Sequence, residues 1–168
     1  MTAHRHTSLP NGPLPWTRAC FVCGEENPRG FHLKSRLENG RVITNYTTRM
    51  TDVGYRHIVH GGICMTLLDE VMTWAAIIAT GKVCVAAEMT TRLKHPVSAD
   101  TALQIEGWVT KDARRILLTE GQIIGPDGEV VISASGKYVP VTDGQATLCA
   151  DDFVIHPDTI PPGLILRR

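Results

Sequence analysis

Two carboxylates, Asp69 and Glu70, stand side by side in an otherwise apolar stretch, Ile63 to Ala79, that opens on His60-Gly61-Gly62. A helix that is apolar nearly all round belongs in a core. An ionisable group in a core is costly unless it is paired, solvated or used. The glycines suggest one use. A helix N-terminus offers unpaired N–H groups and a partial positive charge, and glycine lets a carbonyl approach that backbone closely. Such a turn can serve as an oxyanion hole, and equally as a tight loop-to-helix junction. A carboxylate nearby could activate water or attack an ester-like carbon itself. Asp69 lies seven residues beyond Gly62, about 10 Å along a helix. It therefore cannot readily act on a carbonyl held at its own helix N-terminus, but it could face Gly62 of a second, antiparallel copy.

The elements that must hold these residues are legible around them. Residues 31–38 and 41–48 read as strands joined by Asn39-Gly40, a strong hairpin signal. A loop around Gly54 leads into a helix over 61–79 that stops at Gly81. Four strand-like segments follow at roughly 83–94, 101–111, 114–124 and 129–139, with Pro126-Asp127-Gly128 turning between the last two. In the last, Val131, Ser133, Ser135 and Lys137 alternate with Ile132, Ala134, Gly136 and Tyr138, the period of a half-buried strand. The order predicts an α+β plan in which a curved antiparallel sheet wraps one long helix. Open sheet edges would invite a second copy. Residues 1–19, rich in proline, read as an extended arm that could dock through Trp16. Residues 20–140 read as the folded domain and 141–168 as an irregular tail whose segment 160–166 could dock on the body.

Composition narrows the partners. With 17 basic and 17 acidic side chains the net charge is zero, which argues against nucleic acid or an anionic membrane surface as a partner. Two acids in the middle of the apolar helix argue against a membrane span. The N-terminus has no apolar signal region. The five cysteines, an odd number, fit a reducing, cytoplasmic setting. Cys20-x-x-Cys23 raises zinc, but structural zinc usually takes four ligands and only one such pair exists, so no metal and no cofactor are expected.

Four motifs carry a resemblance over residues 20 to 140: Cys20-Phe21-Val22-Cys23-Gly24 with Asn27-Pro28-x-Gly30-Phe31-x-Leu33; Gly54-Tyr55-x-x-Ile58-Val59-His60-Gly61-Gly62-Ile63; Thr66-Leu67-Leu68-Asp69-Glu70; and Lys94-His95-Pro96-Val97. In this order and spacing the chain resembles the hot-dog fold thioesterases of the phenylacetyl-CoA-thioesterase-like (PaaI-like) branch. The resemblance implies hydrolysis of an acyl-CoA thioester by a homodimer or homotetramer with sites between protomers. It also implies an acid nine positions beyond the motif histidine as base or nucleophile, which here is Asp69. The expected catalytic set is Asp69, Gly62 and His60. Gly61, Tyr55, His57, Glu70 and Thr73 are expected to line the substrate. Adjacent helix positions point about 100° apart, so Glu70 should not share the role of Asp69. His60 could polarise the carbonyl or simply hold its loop. Met72 and Trp74 could shape an acyl pocket, with core packing the default. Arg92, Lys94, His95, Arg114 and Arg115 could meet CoA phosphates or be surface charge.

Two departures from the branch's pattern stand out. The loop has Asp52-Val53-Gly54 where His-Gln-Gly is common. Ala86 stands where a serine or threonine often assists water, and Thr73, one turn beyond Asp69, could substitute. These departures keep open a non-catalytic acyl-CoA or lipid-like ligand-binding role. A hydratase on the same fold, which would pair a histidine with an acid, fits the Gly-Gly turn less well.

Overall fold

The computed structural model describes residues 9–141 and 151–166. Its elements are β1 (Gly12–Pro13), β2 (Arg36–Glu38), β3 (Arg41–Thr47), a 3-10 turn (Met50–Asp52), β4 (Val53–Tyr55), β5 (Ile58–Val59), α1 (Gly61–Thr80), β6 (Cys84–Leu93), β7 (Ala102–Asp112), β8 (Leu117–Ile124), β9 (Val130–Pro140) and the short helix α2 (Pro162–Ile165). Seven strands form one antiparallel sheet in the order β1-β2-β3-β7-β8-β9-β6. β4 and β5 form a separate two-stranded ribbon that leads into α1. The expected plan, one long helix held against a mostly antiparallel sheet, is the plan observed.

α1 is long because nothing in Ile63–Ala79 breaks it, and both ends are capped. His60 caps the start, its side chain accepting from the Gly62 N–H, and Gly81 at φ 68° closes the end with its N–H on Ile77 O. Leu67, Leu68, Val71, Met72 and Ala76 are fully or almost fully removed from solvent, and each of the larger four contributes roughly 1.5–3 kcal/mol through burial. Three strand glycines let the helix lie this close. A Cβ at Gly107 would sit 2.7 Å from the Val71 backbone; one at Gly121, 2.9 Å from Met72 Sδ; one at Gly136, 2.9 Å from Met72 Cε. Gly107 and Gly121 are register partners in β7 and β8.

The Asn39-Gly40 hairpin is present, with φ of 49° and 80° at the two residues, the geometry of a primed turn. The strand expected over 31–38 is a correction. Only Arg36–Glu38 pairs with β3. The Phe31 and Leu33 N–H groups instead bond Phe21 O and Val22 O, and His32 between them has φ 55°. The alternation of Phe31, Leu33 and Leu37 is real, but the first two bury against the N-terminal loop rather than join the sheet.

The described part of the arm docks on the body. β1 pairs with β2, and Leu14 and Trp16 are buried. The described part of the tail lies over it: Phe153 bridges to Thr17, the Ile160 N–H bonds Pro13 O, and Phe153, Ile160 and Ile165 are buried. Cys149 lies outside the described residues.

Candidate active site

α1 carries Asp69 half-buried, with its Oδ1 accepting from the Tyr138 hydroxyl at 2.7 Å and, more weakly, from Thr73 Oγ1 at 3.5 Å. Tyr138 projects from β9 and is fully buried. Burial, then the bond it donates to Asp69, pushes its hydroxyl well above the usual phenol range. Both donors use Oδ1, which leaves Oδ2 for water or a substrate. The alternation of β9 places Tyr138 on the inward face with Ile132, Ala134 and Gly136, and a buried tyrosine needs a partner for its hydroxyl. That signal could have found this residue; the alternation alone did not say which acid it meets. Ala86, where a hydroxyl was expected, is the register partner of Tyr138, beside a bulge between Ala86 and Glu88. A hydroxyl therefore does reach Asp69, from the strand next to the one expected.

At the N-terminus of α1, His60 Nδ1 accepts from the Gly62 N–H at 2.9 Å. The imidazole lies between two glycines. A Cβ at Gly62 would come within 2.9 Å of Nδ1, and one at Gly54 within 2.8 Å of Cδ2. The Gly62 N–H, expected to face a substrate, is thus occupied by its own cap. Gly61, at the first helical position, carries an N–H with no acceptor within the helix. With Nδ1 accepting, the ring's own donor is Nε2. The loop is braced from below: the His60 N–H bonds Asp52 O at 2.9 Å. The buried Asp52 carboxylate accepts from the Tyr46 hydroxyl and from the Arg49 N–H at 2.8 Å. Asp52, one of the departures noted above, is the anchor of this loop.

Tyr55 and His57 are exposed on the ribbon before the helix, Tyr55 at 76%. They lie five and three residues before His60 in the chain. Met72 is fully buried and Trp74 nearly so, both as core. Gly61 and Asp69 of one chain stand about 12 Å apart along the helix at 1.5 Å per residue, so the donor and the acid do not meet within a protomer. A surface concavity of about 310 Å³ opens across Asn45, Thr47, Ala102 and Gln104 and includes no residue of α1.

Glu70 belongs to a different cluster. Its Oε1 accepts from Trp74 Nε1 at 3.2 Å, and burial above all pushes its carboxyl up to about 7. Cys20 Sγ, Cys23 Sγ and a Glu70 carboxylate oxygen lie within 4.8 Å of one another. The hydrogen bond with Cys23 holds the Cys20 thiol down at about 5, and the same bond together with burial drives Cys23 upward. These three side chains are the ones in this region able to hold a metal. The cysteine spacing marked two of them; Glu70 joins them only through the fold.

Residues 57–132, from the loop before α1 to the last strand, match a family model described as the thioesterase superfamily. Among curated protein sequences, none matches the chain. Among solved structures, the chain is similar to the E. coli PaaI protein from the phenylacetic acid degradation operon, at 18% identity and a TM-score of 0.62, covering 67% of this chain and 81% of that one. A thioesterase superfamily protein is 30% identical with a TM-score of 0.66, over 73% of this chain and 60% of that one. A Streptococcus mutans protein solved with acetyl-CoA bound is 21% identical with a TM-score of 0.58, over 62% of this chain and 84% of that one.

Proposed function

With residues 57–132 of this hot-dog chain falling in the thioesterase superfamily, we propose that the protein hydrolyses an acyl-CoA thioester to a free acid and CoA, at a site shared by two copies. Asp69 of one copy supplies the carboxylate. The Gly61 N–H of the other receives the thioester oxygen, with His60 Nε2 as a second donor. Oδ2 of Asp69 either takes a proton from the attacking water or adds to the carbonyl carbon itself. In both routes the negative charge moves onto the thioester oxygen, and the CoA thiolate then leaves as the carbonyl re-forms. In the first route the water oxygen enters the acid directly; in the second, water hydrolyses an acyl-Asp69 anhydride. Donors fixed on a helix terminus suit a charge that develops only in the transition state.

The observation that carries this reading is the held carboxylate. Asp69 is an acid in a core helix, with one oxygen fixed by a buried tyrosine and the other without a hydrogen-bond partner among the described residues. The acetyl-CoA bound in the S. mutans structure supports a CoA thioester as ligand. Release of free thiol from short, medium, long and aryl acyl-CoAs tests the proposal, with Asp69→Asn alongside. Turnover by the native chain, lost by at least about a hundredfold in Asp69→Asn while the assembly stays intact, is expected. Full activity in Asp69→Asn would sink the assignment of the acid. The second reading, a non-catalytic acyl-CoA binder, rests on Ala86 having no hydroxyl to offer. Binding without turnover across the whole panel would favour it.

A further inference from the structure

We propose that Cys20, Cys23 and Glu70 form a zinc site that fastens the N-terminal loop to the core helix. The three donor atoms already lie within 4.8 Å of one another, close to the separations around a tetrahedral ion with bonds of about 2.3 Å to sulfur and 2.0–2.2 Å to oxygen. Two thiolates with one carboxylate favour zinc over the hard cations magnesium and calcium, which take all-oxygen sites.

Each donor is already oriented by a neighbour, as metal ligands are. The Val22 N–H bonds Cys20 Sγ at 3.3 Å, Thr17 Oγ1 lies 4.0 Å from Cys23 Sγ, and Trp74 Nε1 holds Glu70. The loop between the cysteines is folded so tightly that only glycine fits after it. The Gly24 N–H bonds Cys20 O at 3.0 Å, and a Cβ there would lie 2.4 Å from the Cys20 nitrogen. The backbone thus turns both sulfurs to one side, toward the helix.

Charge agrees. Two thiolates and a carboxylate around a divalent ion sum to only minus one, and Lys34, which also pairs with Glu25 at 3.2 Å, lies beside them with its Nζ bonding Cys23 O at 3.1 Å. Binding expels the thiol protons to solvent. Three protein ligands leave one tetrahedral position for water. Asp69, the next residue along the helix, points elsewhere and bonds Tyr138, so the zinc site stands apart from the thioester chemistry.

The full chain, reduced and stripped with a chelator, should take up one equivalent of Zn²⁺, and Co²⁺ should give thiolate-to-metal charge-transfer and tetrahedral d–d bands. Cys20→Ser, Cys23→Ser and Glu70→Gln should each lose the stoichiometric uptake, and Trp74→Phe should weaken it by about tenfold or more. Cys64→Ser and Cys84→Ser should leave it unchanged. No uptake by the reduced native chain would overturn the proposal. So would cobalt spectra unaltered by Glu70→Gln, or loss of binding in the two control variants. The native titration decides the matter even where a ligand variant fails to fold.

Discussion

In the proposed reaction, Asp69 and Tyr138 are the pair on which the chemistry turns. A phenol donating to one carboxylate oxygen fixes the side chain and leaves a single oxygen to react. Tyr138→Phe keeps the ring and removes the donor. It should cost about 1.5–3 kcal/mol of stability, the usual worth of a hydrogen bond to a charged group. If the bond positions the acid, kcat should also fall by roughly tenfold with KM little changed. A loss of stability by urea unfolding with kcat untouched would reduce Tyr138 to a packing role. At this scale the sequence told half the story. A carboxylate in an apolar run is conspicuous, so Asp69 was legible. Its partner lies 69 positions away, and alternation in β9 gives a face but no partner. His60-Gly61-Gly62 marked the helix entry, but the spacing could not show that the imidazole would take the Gly62 N–H and leave Gly61 as the free donor.

The elements around the pair depend on close approach. Gly107 meets the backbone of Val71, which has no flexible end to yield. Gly107→Ala should therefore destabilise the fold by about 1–3 kcal/mol or more through overpacking, read as a lower urea midpoint with unchanged slope. A neutral result would mean that α1 lies further from the sheet. The loop before α1 has its own anchor in Tyr46 and Asp52. Burial, then the bond donated to Asp52, pushes the Tyr46 hydroxyl up to about 12 from 10.0. The neutral phenol is thus favoured in the folded chain. Its contribution is fully present below pH 10 and is lost as pH rises toward 12, because the unfolded chain gives up the proton first. The stability gap between the native chain and Tyr46→Phe should shrink over that window, and a gap independent of pH would contradict this. The helix and the four strands after it were legible because their periods run unbroken between glycine and proline. Residues 31–35 were not, since an extended segment bound to a loop shows the same alternation as a sheet strand.

At the scale of the whole molecule, one protomer holds the acid and the donor on the same helix but out of each other's reach. β6 lies at the open edge of the sheet, with Val85 and Leu93 about half exposed, and an unpaired edge is a template for a second copy. Gly62, Thr66, Asp69 and Thr73 form a half-buried stripe along α1, spaced to follow one helix face. A two-fold axis that brings Asp69 opposite Gly61 must pass beside Met65, midway between them. Sedimentation should find dimers or larger assemblies; a stable monomer with full activity would remove the reason for a shared site. The most direct test pairs two inactive chains. Gly61→Val removes the approach to the donor and meets only the Leu93 side chain, 3.2 Å from a Cβ there. Asp69→Asn removes the acid. A heterodimer of the two, isolated through separate tags, has one site with both functional halves and one with neither. It should hydrolyse acyl-CoA at about half the native rate per dimer. A heterodimer as inactive as its two parents would contradict a site built from Asp69 of one copy and Gly61 of the other.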